Sequence, residues 1–340
     1  MNFPRVTIFI WILAASAIAY SQTSYTFTDL GALGNGSYSE ARGINATGGI
    51  TGSTEVSNSD NSQIFFYSDG TMTGLGTLGG NSGIGNGINA SAQIAGYSQN
   101  ASGAYRAFLA TNGTLTDLGD LGGGSAVAYA INDLGLVVGS AVTSDGSNHP
   151  FLYSSGSMID LGTLGSPAGN LFWNTANGIN NSGEVAGTSY DAQGNFRGFV
   201  WKNGTMKEMG TLGGLWSQAY AINNKGQITG LSYTRSGLAH GFIANCGTCA
   251  LKDLEPADSL MTVWGFGIND SGVVVGQATF ASGYHAFVYS NGQIQDLNKL
   301  IPAGTGWVLV EAYAINNAGQ IVGMAMRGDG VEHGFLLTPQ

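Results

Sequence analysis

Basic residues are scarce in this chain: eleven Lys and Arg stand against 21 Asp and Glu in 340 residues, for a net charge of −10. That balance repels phosphate backbones and argues against a nucleic-acid partner, and no polybasic cluster is present to hold an anionic membrane. Charged residues of both signs reach only 9%, far too few for a charge-rich disordered chain. Proline occurs six times and cysteine twice. After the N-terminus no second long apolar run appears, and no amphipathic helical period.

The N-terminus is different. One net positive charge in MNFPR precedes VTIFIWILAASAIA, fourteen residues without charge. Ala17 and Ala19 supply the small-x-small pattern read by a signal peptidase, so residues 1–19 are expected to be a cleaved secretory signal. The competing reading is a membrane anchor, but spanning a bilayer takes about 20 apolar residues. The expected location is therefore extracellular or periplasmic, with no membrane insertion after cleavage and a monomeric product.

What the chain has in quantity is glycine, 56 residues, together with 15 Phe, 14 Tyr and 6 Trp. It turns often and has ample material to pack. The order behind this composition is an internal repeat. Ile-Asn recurs at Ile44, Ile88, Ile131, Ile179, Ile222, Ile268 and Ile315, at spacings of 43 to 48 residues. Seven residues after every Asn stands a glycine, Gly52 in the first unit and Gly323 in the last. Eleven to fourteen residues further on comes a phenylalanine: Phe66, Phe108, Phe151, Phe199, Phe242, Phe287 and Phe335. Most units end on a phrase like DLGTLG at 160–165.

Each unit reads as four short strands. AYAIN makes the first. Asn-x-x-Gly makes a turn, with Ala92 replacing the glycine in the second unit. QIVG makes the second strand, and the segment around the phenylalanine the third. Turns such as Asn203-Gly204 and Asn291-Gly292 lead to the fourth. Seven four-stranded units of about 45 residues predict an all-β, seven-bladed β-propeller of antiparallel blades over residues 20–340. An open β-solenoid is the other architecture considered, but its flat rungs would not need hairpin turns. The strand-two glycine is expected to mark a close backbone approach beneath an aromatic ring. The seventh unit lacks a fourth strand, while YTFTDLG at 25–31 is a spare one. The N-terminal strand is therefore expected to close the ring by pairing antiparallel with residues 333–338.

The third-strand phrase reads His285-Ala286-Phe287, with variants at His149, His240, His333, Arg106 and Arg197. Together with GTLGG at 76–80 and 210–214 and the Ile-Asn-x-x-Gly turn, it resembles the family of probable extracellular HAF repeats. The first unit departs, with Gln63-Ile64-Phe65-Phe66, and the last two lose GTLGG. The resemblance implies an exported bacterial repeat protein and carries over no catalytic residues.

Candidate sites follow from what breaks or decorates the repeat. Trp173, Trp216, Trp264 and Trp307, preceded by Tyr38 in the first unit, fall shortly before the Ile-Asn pairs, on the face expected to carry the long loops. They could form a ligand-binding aromatic rim or pack between blades. The four histidines share one blade position with two arginines, so they should not converge on a metal ion, and no metal or cofactor is expected. Asp29, Asp117, Asp160, Asp253 and Asp296 recur in the strand-four phrase and read as turn acceptors. Cys246 and Cys249, in NCGTC, are expected to form a local disulfide. No catalytic constellation stands out. Glu40, Glu255, Asp258 and Glu311 are the acids that break the pattern. The reading is a secreted, non-catalytic binding or scaffold module presenting a loop-rich aromatic face to an extracellular glycan or protein. The alternatives are a glycan hydrolase or lyase on the same fold and a purely structural surface protein.

Overall fold

Seven sheets of four antiparallel strands stand in a ring in the computed structural model, which describes residues 23–56, 61–165, 173–255 and 259–340. The expected signal peptide and Asp258 lie outside the described residues. Among the described residues the one helical element is a short 3-10 turn, Leu297–Lys299, and no helix is long and apolar enough to cross a membrane. The innermost strands are Ser39–Ile44, Gly79–Ile88, Gly122–Ile131, Thr175–Ile179, Gly213–Ile222, Val263–Ile268 and Trp307–Ile315, in blades 1 to 7. Each ends on the Ile of an Ile-Asn pair.

The ring closes as the spare strand requires. Tyr25–Asp29 forms the outermost strand of blade 7, antiparallel to Glu332–Pro339, in a register that runs from Tyr25 opposite Pro339 to Asp29 opposite Phe335. His333 Nδ1 and Asp29 Oδ1, 2.8 Å apart, clasp this seam.

One asparagine per blade ties neighbours together. Asn45 Nδ2 donates to the Asn89 carbonyl, Asn89 to that of Asn132, and so on round the ring until Asn316 donates to the Asn45 carbonyl, all at 2.8–3.2 Å. The same side chain's Oδ1 accepts two N–H groups of its own turn, as Asn223 does from Lys225 and Gln227. All seven asparagines are buried. The residue that follows each asparagine repeats the device in part. Asp133, Asn181, Asn224, Asp270 and Asn317 each accept the N–H of the equivalent residue one blade before, at 2.8–3.0 Å. Ala46 and Ala90 hold that position in blades 1 and 2, so this second ring stays open there.

The strand-two glycine is a steric requirement. A Cβ on Gly139 would lie 2.0 Å from the Val127 carbonyl oxygen and 2.8 Å from the Phe151 ring. The other six meet an inner-strand carbonyl oxygen at 1.8–2.1 Å, and Gly52, Gly187, Gly276 and Gly323 also meet the phenylalanine ring at 2.6–3.0 Å, which bears out the expected close approach beneath an aromatic ring in those blades. That ring is the core of each blade: Phe65, Phe108, Phe151, Phe199, Phe242, Phe287 and Phe335 are all fully buried. The first of these corrects the sequence reading, which placed Phe66 in the series. Phe65 is the residue paired with Gly52, as Phe108 is with Gly96, while Phe66 is only half-buried. Gln63-Ile64-Phe65 is therefore the first unit's version of His-Ala-Phe.

Two changes test these devices. Asn223→Asp keeps the accepting oxygen of the turn but removes the inter-blade donor, and should lower unfolding free energy by about 1–3 kcal/mol. A loss under about 0.5 kcal/mol in urea unfolding would show that the belt contributes little. Ala92 sits at φ 56° where the other blades use glycine. Ala92→Gly should accordingly stabilise the fold by about 1 kcal/mol, read as a higher urea midpoint.

Candidate functional site

Every inner strand carries the same irregularity. Its pairing with the second strand skips one residue, between Ala41 and Gly43 in blade 1 and at the matching place in the other six. A bulge of this kind re-aims the side chain it extrudes. The skipped residues are Arg42, Asn86, Tyr129, Asn177, Tyr220, Phe266 and Tyr313, and all seven line an axial cavity of 640 Å³. The residues flanking each bulge are Gly or Ala, because the next blade packs directly against them. A Cβ on Gly267 would meet the Tyr313 carbonyl oxygen at 2.9 Å.

The seven isoleucines of the Ile-Asn pairs form the floor of this funnel. Beyond them a smaller space of 200 Å³ opens to the opposite face, rimmed by the asparagine turns and by Asp133 and Asp270. The wall is aromatic on one side. Tyr220, Phe266 and Tyr313 stand with successive ring centroids 5.7 and 6.0 Å apart, and the Arg42 guanidinium lies 4.3 Å over the Tyr313 ring. Arg42 is held by Glu40, at 2.9 Å through Nε and 2.7 Å through an outer nitrogen. The Tyr313 hydroxyl donates to Glu311 Oε2, and Gln277 donates to Glu311 Oε1 at 3.0 Å. Burial, reinforced by Glu311 and Glu40 against the opposing pull of Arg42, holds the Tyr313 phenol protonated far above its ordinary range. Burial likewise raises the Tyr220 phenol.

Of the acids that break the repeat, Glu40 and Glu311 meet in this cluster through Arg42 and Tyr313. Glu255 lies elsewhere. It is buried in blade 5, with Ser259 Oγ donating to its Oε2 at 3.1 Å and His240 Nε2 lying 3.6 Å away. Burial pushes its carboxyl up to about 7, partly opposed by His240.

The aromatic residues expected on the rim separate into three groups. Trp173 and Trp216 are 54% and 41% exposed and both meet the Phe196 ring edge-on, at 6.0 and 5.7 Å. Exposed Leu215 adjoins Trp216, and Trp173 also lines the funnel. Trp264 pairs with Tyr284 at 5.8 Å. Trp307 packs into the closing blade, 5.1 Å from the His333 ring and 6.4 Å from Phe27, and Tyr38 lies at the seam of blades 1 and 7 beside Glu40.

The repeated His and Asp residues turn out to be partners. His149 with Asp160, His240 with Asp253 and His285 with Asp296 each meet through Nδ1 at 2.8–3.0 Å, and Arg106 meets Asp117 at 2.9 Å. The other carboxylate oxygen, or the same one, accepts a turn N–H two residues on, at Gly119 and Gly162 for example. The turn-acceptor reading of the aspartates holds. The histidines bond the outermost strand of their own blade. Spread around the ring in this way they do not converge. His240, Asp253 and Glu255 alone form a compact group among the described residues.

The expected disulfide is not formed. Cys249 sits at φ 56° and turns its sulfur to the Cys246 carbonyl at 3.3 Å, while Cys246 faces Glu184 of blade 4 at 3.8 Å. Burial, then Glu184, pushes the Cys246 thiol up to about 12.

Comparison with solved structures returns β-propellers. The β-propeller domain of the Trilobed protease from Pyrococcus furiosus is 12% identical with a TM-score of 0.55, over 89% of this chain and 94% of that one. Oligogalacturonate lyase from Vibrio parahaemolyticus is 10% identical with a TM-score of 0.55, over 92% and 93%. TolB from Acinetobacter baumannii is 13% identical with a TM-score of 0.48, and this chain, 90% of it aligned, spans 64% of that protein's length. At these identities the likeness is one of fold alone. No family model and no curated protein matches the sequence.

The lumen residues escaped the sequence reading. Their signal was the position two before each Ile, which varies among Arg, Asn, Tyr and Phe inside a frame of Gly and Ala.

Glu255 gives a pH test. Its ordinary carboxyl value is 4.5, so between 4.5 and about 7 the folded state holds a proton that the unfolded state has released. Stability from this group is present below that window and is lost as pH rises through it. Glu255→Gln should therefore raise the melting temperature relative to wild type more at pH 8 than at pH 5. An equal difference at both pH values would refute the shift.

Proposed function

We propose that this chain is an exported, non-catalytic binding module that receives a glycan on its loop-rich face. One observation carries the reading: Trp173 belongs both to the exposed Trp173–Phe196–Trp216 cluster and to the wall of the axial funnel. An aromatic platform outside thus runs into a polar, aromatic cavity inside. Sugars are recognised by that combination, stacking on ring faces and hydrogen bonding at their edges. The charge-poor composition, the signal-like N-terminus and the resemblance to extracellular HAF repeats agree with export. A mature N-terminus at Tyr20 would be the accompanying sign.

The hydrolase or lyase alternative draws on Glu40 and Glu311 meeting through Arg42 and Tyr313, and on an oligogalacturonate lyase among the propellers of similar fold. Against it, both carboxylates are already engaged. Glu40 is closed on Arg42, and Glu311 accepts from Tyr313 and Gln277.

Glycan-array screening followed by calorimetry tests the proposal. The double change Trp173→Ala and Trp216→Ala should weaken the detected glycan by about tenfold or more, as loss of two stacking faces implies. Unchanged affinity would sink the aromatic-platform reading. Conversion of the bound glycan by the wild-type protein would favour the enzyme.

A further inference from the structure

Acceptor oxygens collect in the lumen of the funnel. Tyr313 spends its hydroxyl proton on Glu311, and Tyr220 spends its own on Gln218 Oε1 at 2.5 Å, so both phenol oxygens remain as acceptors. Asn86 Nδ2 donates to the Ala128 carbonyl at 2.7 Å and Asn177 Nδ2 to the Ala219 carbonyl at 2.8 Å. A carbonyl can only accept, so these two bonds fix the orientation of each amide and leave its Oδ1 open as an acceptor, beside the second N–H of the same group. No hydrogen bond among the described residues occupies either Oδ1.

The charges point the same way. Arg42 is the one cation of the wall, and Glu40 neutralises it at 2.7 Å. Glu311 has no cationic partner among the described residues; its oxygens are held by a phenol and an amide. At the far end of the axis Asp133 and Asp270 add negative potential, within a chain of net charge −10. The Tyr220–Phe266–Tyr313 arc presents ring faces, and such faces attract cations, most strongly when water is excluded. The protein's own Arg42 already uses one end of that arc, stacked 4.3 Å over Tyr313.

We infer that the funnel is a subsite for an ammonium group: the glycan that enters it carries a free, unacetylated amino sugar. The ammonium sits against Glu311 and the Phe266 and Tyr220 rings, and the Asn86 and Asn177 oxygens accept from it or from neighbouring hydroxyls. This rests on the glycan-binding reading and narrows it to one sugar class. The half-buried lumen side chains supply the partial exclusion of water that makes cation–ring attraction count.

A matched pair of probes separates the two levels. Glucosamine tetramer and N-acetylglucosamine tetramer share a backbone and differ in whether the nitrogen is charged. Calorimetry on the full mature chain at pH 5.5 should show the glucosamine tetramer binding about tenfold tighter, the scale of one desolvated cation–ring and carboxylate contact. Glu311→Gln, which keeps the shape, should erase most of that preference and leave the acetylated tetramer within about twofold. Phe266→Leu should also reduce it, and circular dichroism of both variants checks that they fold. If the acetylated tetramer binds as well as the amine, or if Glu311→Gln changes neither, the ammonium subsite is wrong while glycan binding stands. If neither tetramer binds, the ammonium subsite is overturned, and the glycan reading is decided by the array.

Discussion

The amide of one asparagine in each blade does two jobs that no other side chain of its size could combine. Its oxygen shapes the local turn by accepting two N–H groups, and its nitrogen reaches across to the next blade's backbone. Because each donor needs the following turn as acceptor, the belt is complete only when the last unit meets the first, as Asn316 meets Asn45. Burial makes the bonds matter: an unpaired amide in that position would lose its water without compensation. The belt also explains why the repeat keeps Asn, and not Asp or Ser, at all seven positions. Aspartate could make the turn but could not donate.

A second coupling links frame to function. The strand-two glycine leaves room for a carbonyl of the bulged inner strand, and the bulge turns one side chain per blade into the axis. The missing Cβ at Gly139 and the lumen position of Tyr129 are thus parts of one arrangement. The glycine, the asparagine and the buried phenylalanine fix the backbone, and the lumen residue is then free to differ from blade to blade. Seven near-copies of a blade produce an asymmetric cavity, with an aromatic arc over blades 5 to 7 and amides in blades 2 and 4.

Architecture was legible because periodic signals survive averaging over seven copies. Ile-Asn, the glycine and the N-terminal spare strand led to the blade count and to the closing pair. Local exceptions were not legible. Phe65 and Phe66 are adjacent, and only the pairing with Gly52 decides which one faces the core. AYAIN reads as plain alternation, so the bulge that sends Tyr220 into the lumen leaves no mark of its own within one copy. The His–Asp contacts join phrases eleven or more residues apart within a blade, and the closing pair, His333 with Asp29, spans 304. Repetition of each phrase was visible, but their partnership depends on strand register. The cysteines show the same limit: the turn that holds them sets where the sulfurs point, and spacing alone does not.

The seam in blade 7 has a temporal side. Tyr25–Asp29 leaves the ribosome long before Glu332–Pro339, and until the later strand arrives the earlier one has no edge to join. Intermediate assemblies of blades expose two open flanks and an unfinished asparagine belt. Contacts this distant in sequence form slowly. A nascent chain of this kind stays unlocked until Glu332–Pro339 has been made, so until then its handling by the cell is that of an unfinished arc and not of a propeller.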